Sequence, residues 1–486
     1  MAGGMRKLAK ETVVYGLSSI VGRFLNWLLV PMYTRVLAGT EEFGVYTNMY
    51  AWVALLLIIL TYGMETGFFR FINREDEKEP MRVYATTLFS VGCSSLLFLL
   101  AAGCFIRPLS GMLSYGDHPE YLAMMLGVVA IDAFCCVPFV YLRYKGRPFR
   151  FMGVKLTGIF INIALNIFFL IICPRLETDL YNPGYRVGYI FAANLITSCL
   201  TLLMLAPDML PALKYKPDMA LLKRMLRYSF PILILGMAGI LNQTADKILF
   251  PYLFADKVYA NEQLGIYGAC FKIAAVMVMF IQAFRYAYEP FVFARNKDGA
   301  GNGKAYSEAM KYFIIFALFI FLGVVFYLDW VKYFVAPPYY PGLPVVPVVM
   351  LGELFFGIYF NLSIWYKLSD QTRWGAYFSV GGCMITVGII VVFAPVYGFM
   401  ACAWASLICN FLMMLVSYLV GQKKFPVSYD LKSAFIYFAL AIILYSAGMI
   451  PAVRSEVLRL YYRTLLLIVF LIFIVIRDFP YKRRKH

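Results

Sequence analysis

The chain is predicted to be an all-α integral membrane protein with about 14 transmembrane helices. Apolar stretches of about 20 residues recur along its 486 residues, and about 20 apolar residues let a helix cross roughly 30 Å of hydrocarbon. The composition agrees, because 62% of the residues are hydrophobic and only 15% are charged, against about 25% charged in soluble domains. Almost nothing is left for a water-soluble domain, so the function should take place inside the bilayer.

The predicted spans follow one another with short polar connectors. They are placed at residues 12–36, 43–69, 84–106, 120–142, 151–173, 185–207, 226–253, 262–291, 306–328, 343–366, 374–394, 398–421, 431–450 and 460–476. The first span is too long for the core of a signal peptide and has no small-residue cleavage site after it. We therefore interpret it as a retained transmembrane helix.

The charge distribution predicts the topology. The formal net charge is +17, and most of the 44 Lys and Arg fall in the two tails and in connectors on the same side as the tails. An excess of Lys and Arg marks the cytoplasmic side, so both termini are expected there. The basic run at residues 143–150 is then a topology signal that touches anionic lipid head groups, and no nucleic-acid partner is expected.

Neither metal chemistry nor enzyme catalysis is indicated. Most of the ten cysteines lie inside predicted spans, and the two histidines, His118 and His486, do not combine with them at metal-ligand spacing. Small core residues are the expected role of these cysteines. We therefore predict no metal site and no catalytic residue.

A repeat divides the chain. Glu-Glu-Phe-Gly-Val-Tyr at residues 41–46 opens the second span, and Glu-Gln-Leu-Gly-Ile-Tyr at 262–267 opens the eighth. Six spans separate the copies, so both enter the membrane in the same direction. This predicts two six-helix bundles in a parallel repeat, as in transporters. The expected lobes are residues 1–211 (spans one to six) and 212–422 (spans seven to twelve), followed by spans thirteen and fourteen with a basic tail in 423–486.

Charged residues inside the spans are the candidate functional residues, since each costs about 2.5–3.5 kcal/mol on insertion scales. Spans one, two, seven and eight, which are equivalent in the two bundles, hold most of them. We predict a cavity between the bundles whose cations bind an anionic group such as a phosphate. The predicted cations are Arg23, Lys247, Lys272 and Arg285. The carboxylates, predicted to line the cavity or to couple transport to Na⁺ or H⁺, are Glu65, Asp132, Asp246 and Glu289.

Two alternatives concern polar groups that hold helices together. The charges could form internal ion pairs, such as Asp246 with Arg23 or Glu289 with Arg285. For Asn162, Asn166 and Asn242, interhelical hydrogen bonds worth about 0.6–2 kcal/mol are the favoured interpretation.

Several short motifs resemble bacterial polysaccharide transporters. They are the first span with Arg23 and residues 31–35 (Pro-Met-Tyr-Thr-Arg), residues 42–46, residues 62–71 (Tyr-Gly-Met-Glu-Thr-Gly-Phe-Phe-Arg-Phe) and residues 161–167 (Ile-Asn-Ile-Ala-Leu-Asn-Ile). Together they resemble the oligosaccharide flippase branch of the MOP superfamily. That superfamily also contains multidrug exporters and lipid II flippases.

The resemblance implies a flippase that moves undecaprenyl-pyrophosphate-linked oligosaccharide, such as O-antigen or capsule repeat units, across the bacterial inner membrane by alternating access. It implies no cofactor beyond a coupling Na⁺ or H⁺. The implied partners are the lipid-linked glycan, membrane lipids, and the glycan polymerase and glycosyltransferases of the same pathway. Phe24 follows Arg23 where lipid II flippases have a paired Arg-Asp, which disfavours that branch.

Three alternatives remain at this stage. A lipid II-type flippase and a multidrug or cation exporter belong to the same superfamily, although an exporter predicts an acidic cavity and twelve spans. A membrane polysaccharide polymerase would need a sizeable extracellular loop or a carboxylate motif at the membrane surface. Neither feature is visible, so no enzyme activity is expected.

Overall fold

The computed structural model describes residues 16, 18–73, 80–176, 181–297, 303–369, 371, 373–450 and 455–478, and for 289–297 only the helical backbone. Within these ranges it is about 90% helical and has no strand. Thirteen helices in this described part are long and apolar enough to cross a membrane, and they coincide with the second to fourteenth predicted spans. The first predicted span is helical from residue 18. The predicted fold class is confirmed.

The helices are numbered here in chain order. They are α1 (residues 18–27), α2 (Val30–Val36), α3 (Thr40–Thr61), α4 (Met64–Ile72), α5 (Pro80–Cys104), α6 (Ile106–Met112), α7 (Pro119–Tyr144), α8 (Pro148–Ile167), α9 (Arg186–Met209), α10 (Met219–Leu249), α11 (Lys257–Lys297), α12 (Gly303–Phe326), α13 (Leu328–Val331), α14 (Val345–Leu362), α15 (Ile364–Leu368), α16 (Arg373–Tyr397), α17 (Phe399–Lys424), α18 (Leu431–Met449) and α19 (Glu456–Asp478).

Contacts divide the chain into two compact units. The first unit comprises Met1–Gly268 and Ser379–Phe399, and the second comprises Ala269–Phe378 and Met400–His486. The seventh span, α10, packs against α3, α4 and α5 inside the first unit. In the second unit, α12 packs against α14, α18 and α19. The lobe boundaries at residues 211 and 422 stay a prediction.

The two copies of the repeat contact each other inside the first unit. A Cβ on Gly44 would lie 1.9 Å from the carbonyl oxygen of Asn261, and a Cβ on Gly265 would lie 1.8 Å from that of Thr40. One turn on, a Cβ on Gly268 would lie 2.5 Å from Thr47 Oγ1. Small residues let membrane helices approach to backbone contact. The starts of α3 and α11 therefore cross at the equivalent glycines of the repeat.

A second structural repetition lies at the N-termini of α10 and α18. Asp218 caps α10 and its backbone N–H donates to Thr86 of α5, while Asp430 caps α18 and donates in the same way to Ser307 of α12. Backbone N–H groups of the first turn hold the pKa of Asp218 below its ordinary value. The Ser433 hydroxyl and N–H do the same for Asp430. The thirteenth span is thus capped and docked in its own unit as the seventh is in the first.

One buried cation anchors the last helix of the second unit. Arg463, only 9% exposed, donates to the carbonyl oxygens of Phe326 and Gly448, both at 3.1 Å. It also donates to Asp329 Oδ2 at 2.7 Å. These bonds tie α19 to the ends of α12 and α18, because a cation this far from water needs acceptors on every side.

We expect Gly265→Ala to destabilise the protein by about 1–3 kcal/mol or more, since overpacking here meets backbone rather than a movable side chain. Gly323→Ala is the matched control, because a Cβ at this helical glycine meets nothing within 4 Å. Thermal unfolding in detergent measures both variants. Equal unfolding temperatures for the two would contradict the close crossing.

Arg463→Met should lower the free energy of unfolding by about 2 kcal/mol, because it leaves the oxygen atoms that accept from the guanidinium without their charged donor. Arg459→Met is the control, since Arg459 Nε lies 3.0 Å from the same Asp329 carboxylate with a 32% exposed side chain. Exposed pairs contribute less than about 1 kcal/mol. Unfolding temperatures that drop equally in both variants would show that Arg463 is no anchor.

Candidate functional site

The first unit contains a cavity of about 580 Å³, within the range of about 300–1,000 Å³ that ligand sites occupy. Residues from the first two helices and from α3, α4, α7, α8 and α9 line it. Its lining mixes apolar side chains with polar and charged ones from five apolar spans, and charged groups inside spans mark function by default. The cavity is the candidate functional site.

One end of the cavity, where α7 ends and α8 begins, is charged. Lys155, Arg143 and Glu65 line it, and the charged groups around the Lys155 ammonium are Arg23, Arg143 and Glu65. Lys155 Nζ donates to Ser19 Oγ at 3.3 Å. The Arg143 guanidinium lies 5.0 Å from the ring centroid of Phe69. Arg23, a predicted cavity cation, acts on Lys155 but is not itself a lining residue. We call Arg23, Arg143 and Lys155 the cationic cluster, which is net positive beside the single carboxylate of Glu65.

A break in the second span positions Glu65. The α3 helix ends at Thr61. Tyr62, with φ +34°, and Gly63, with φ +72°, separate it from α4. The left-handed region suits glycine, which has no Cβ to clash there. The Tyr62 hydroxyl is hydrogen-bonded to Ser90 at 2.7 Å, which holds the less favourable of the two residues in place. The predicted continuous helix at 43–69 is therefore interrupted just before Glu65.

Asp132 lies at mid-depth in the cavity. Its Oδ1 accepts a hydrogen bond of 2.8 Å from the Ser198 hydroxyl on α9. Both residues line the cavity. A carboxylate with a hydroxyl neighbour can accept a proton, and it suits Na⁺ because hard cations prefer oxygen ligands. In the described part of the chain, however, no group of three or more His, Cys, Asp or Glu side chains could hold a metal ion.

The other end of the cavity, toward the starts of α3 and α9, is neutral. Asn162 Nδ2 lies 3.3 Å from Asn194 Oδ1 and 3.4 Å from Thr197 Oγ1, and Asn194 donates to the Tyr50 hydroxyl. These bonds connect α8, α9 and α3 and confirm the predicted interhelical role of Asn162. Asn242 is confirmed in the same way, since it accepts a 2.6 Å bond from Thr386 in the first unit. Asn166, instead, donates within its own helix to Asn162.

Two of the predicted residues form an ion pair away from this cavity. Lys247 Nζ lies 2.8 Å from Asp246 Oδ2 with side chains 13% and 9% exposed. The buried Tyr267 hydroxyl donates to the same oxygen at 2.6 Å. Asp246 therefore pairs with Lys247, its chain neighbour, rather than with Arg23, the pairing suggested from the sequence. Neither residue of the pair lines the cavity of the first unit.

The remaining predicted residues lie in the second unit on α11. The exposed Arg285 guanidinium lies 4.4 Å from the ring centroid of Phe360, and Lys367 Nζ lies 4.3 Å from the same ring. Both cations therefore lie within cation–π distance of the same aromatic ring. Lys272 is partly buried. The side chain of Glu289 lies outside the described residues.

Sequence reasoning missed several residues of the cavity. Lys155 was counted only among the cytoplasmic charges of the topology pattern, and Asn194, Ser198 and the tyrosines were not singled out. The available signal was spacing, since Lys155 and Asn162 stand seven apart and share one face of α8. Asn194 and Ser198 are four residues apart and likewise share one face of α9.

Comparisons with known proteins agree with the fold. The family model described as polysaccharide biosynthesis protein matches residues 8–295. The fold is similar to the lipid II flippase MurJ in an inward closed conformation, with 14% identity, TM-score 0.75, and coverage of 96% of this chain and 99% of that one. It is also similar to an inward-facing multidrug resistance MATE family transporter of the MOP superfamily, with 15% identity, TM-score 0.65, and coverage of 85% and 97%.

The comparison with curated protein sequences gave no match. The family match nevertheless covers more than half of the chain, and both the family and the structural neighbours are transporters or flippases rather than enzymes. The chain therefore belongs to the polysaccharide biosynthesis protein family, a flippase family of the MOP superfamily.

Proposed function

We propose that this protein flips undecaprenyl-pyrophosphate-linked oligosaccharide repeat units from the inner to the outer leaflet of the bacterial inner membrane. The observation that carries the proposal is the cationic cluster at one end of a membrane-embedded cavity, in a chain of the polysaccharide biosynthesis protein family. Flipping breaks no bond, so the protein needs only to bind, enclose and release its substrate.

The pyrophosphate group is the costly part of the substrate to move. It carries at least two negative charges, and isolated charges pay a large desolvation penalty in hydrocarbon. Arginine guanidinium groups bind phosphate oxygens bidentately and lysine supplies a point charge. The cationic cluster of the first unit provides such groups, whereas Lys247 is already paired with Asp246. In the second unit, Arg285, Lys367 and Lys272 are proposed to bind phosphate in the same way.

Alternating access of the two lobes, residues 1–211 and 212–422, moves the bound head group, and spans thirteen and fourteen accompany the lipid tail. In this proposal both termini are cytoplasmic, as the Lys and Arg pattern predicts. The charged end of the cavity then opens toward the cytoplasm, where α7 ends and α8 begins. Glycosyltransferases of the pathway supply the substrate there, and a glycan polymerase uses it on the other side.

An ion gradient drives the cycle through one of the intramembrane carboxylates. Asp132 is the preferred coupling residue because it lies in the cavity with Ser198 as a neutral partner. Glu65 shares the cavity, whereas Asp246 is already paired with Lys247. Na⁺ and H⁺ are the two candidate coupling ions, and transport measured under separate Na⁺ and pH gradients distinguishes them.

The test is deletion of the gene in its own organism, with and without deletion of the pathway's first glycosyltransferase. Flipping predicts that surface polysaccharide is lost and that lipid-linked repeat units accumulate on the inner leaflet. Normal export with altered chain length would indicate a polymerase instead. Failure of cell-wall synthesis would indicate a lipid II flippase, and drug sensitivity with normal polysaccharide would indicate an exporter.

We expect Lys155→Ala to reduce polysaccharide export about tenfold or more, because one charge-assisted hydrogen bond to phosphate is worth about 1.5–3 kcal/mol. Lys155→Arg should retain most of the export. Lys145→Ala is the control, since Lys145 is exposed in the same α7–α8 region and does not line the cavity. Complementation of the deletion strain measures all three, and wild-type export by Lys155→Ala would remove Lys155 from the binding set.

Arg285→Ala should impair export while its abundance in the membrane stays unchanged, because the exposed side chain contributes little to packing. Lys432→Ala serves as the control, as an exposed cation of the same unit at the start of α18. Export is compared after immunoblotting of purified membranes. Full export by Arg285→Ala at normal abundance contradicts a role for this guanidinium in binding.

A further inference from the structure

Three tyrosines form one wall at the neutral end of the cavity. The ring centroids of Tyr33 and Tyr46 are 5.4 Å apart, and those of Tyr46 and Tyr50 are 4.6 Å apart. All three side chains line the cavity. Aromatic rings present large flat apolar faces together with a polar hydroxyl edge, so this wall suits a ligand that has both apolar and hydroxylated surfaces.

Amides and a hydroxyl stand at the same end. Asn162, Asn194 and Thr197 line the cavity, and the short polar chain that joins them to Tyr50 holds their orientations. Asn162 and Asn194 each donate two hydrogen bonds within the protein, but each amide oxygen has two lone pairs and accepts one side-chain bond, so acceptor capacity remains. Sugar hydroxyl groups can donate to these oxygens.

The neutral end lies one short step from the cationic cluster. Lys155 and Asn162 share a face of α8 and are seven residues apart, which corresponds to about 10 Å along the helix axis. In a pyrophosphate-linked glycan, the first sugar is bonded directly to the phosphate. A head group held at Lys155 therefore brings the sugar beside it to the tyrosines and amides.

Resting on the function proposed above, we propose that the neutral end of the first unit's cavity is a sugar subsite. Tyr46 and Tyr50 stack on the C–H faces of the sugar ring nearest the pyrophosphate, and Tyr33, which is only 3% exposed, supports them by packing against Tyr46. Asn162, Asn194 and Thr197 hydrogen-bond its hydroxyl groups. The cationic cluster binds the phosphate, and this subsite binds the glycan.

Other occupants fit this end less well. A lipid tail would make no use of the amide oxygens' remaining lone pairs, and it would cover these polar groups with hydrocarbon. A second phosphate finds no Lys or Arg among the lining residues of this end. A cationic drug would find a single carboxylate near this end, Asp132, which already accepts a hydrogen bond from Ser198, and the neighbouring cationic cluster would repel it. A neutral, hydroxylated ring satisfies both the aromatic faces and the amides.

The experiment compares pyrophosphate lipids that differ only in their sugar. The probes are farnesyl pyrophosphate and farnesyl-pyrophosphate-linked glucose, galactose and N-acetylglucosamine, titrated against the purified full chain in nanodiscs. At least one sugar-linked probe should bind about tenfold more tightly than bare farnesyl pyrophosphate, the gain expected from one or two buried hydrogen bonds. This ratio of affinities is the measured quantity.

Variants separate the two parts of the cavity. Asn194→Ala and Tyr46→Leu should bring the ratio close to one without changing the affinity for bare farnesyl pyrophosphate, and Tyr46→Phe, which keeps the ring, should preserve the ratio. Lys155→Ala should weaken all probes equally. Asn242→Ala is the matched control, because it loses an interhelical amide bond to Thr386 at a site outside the cavity.

Each outcome decides a different point. Binding of every probe with equal affinity overturns the sugar subsite and leaves the flippase proposal standing. An unchanged ratio in both Asn194→Ala and Tyr46→Leu overturns it as well. A chain that binds none of the four probes overturns the proposed function together with the subsite. Unfolding temperatures of the variants near that of the wild type show that lost preference is not lost folding.

Discussion

The close approach of Gly44 and Gly265 is the constraint on which the first unit depends. Each glycine faces backbone of the other repeat copy, and any side chain would push the starts of α3 and α11 apart. Tyr46 and Tyr267, the last residues of the two copies, follow directly from this crossing. Tyr46 lines the cavity, whereas Tyr267 is buried and donates to Asp246. Equivalent sequence positions thus line a cavity in one copy and join a polar network in the other.

Charged side chains within the membrane spans of the described first unit have two kinds of surroundings. Asp246 is neutralised by its chain neighbour Lys247 and by a tyrosine hydroxyl, so it acts as a structural pair. Lys155 and Glu65 instead face an open cavity, where water or a ligand can solvate them. A charge in a membrane protein that keeps a cavity around it is available for a substrate, while a charge enclosed by partners is not.

The repeat also extends further than its sequence signal. The clearest sequence match between the halves is the hexapeptide that begins at residue 41 in one copy and at residue 262 in the other. The capping of α10 by Asp218 and of α18 by Asp430, each with a backbone N–H donated to a hydroxyl of an earlier span, repeats without similar flanking sequence. Hydrogen-bonding geometry can recur with Thr86 in one place and Ser307 in another, because both side chains accept the same bond. Sequence similarity does not detect such substitutions.

The sequence by itself determined the thirteen spans found in the described part of the chain and their boundaries to within several residues, because hydrocarbon thickness imposes a local length rule on every helix. It also determined the family. It also identified Glu65 and Asp132, since a charge in an apolar run is visible locally. Only the tertiary structure decided that Lys155 belongs to the cavity and Asp246 to an ion pair. Which face of a helix meets a cavity depends on neighbouring helices that are distant in the chain. The sequence does not reveal this face, because apolar residues occur on all sides of these helices.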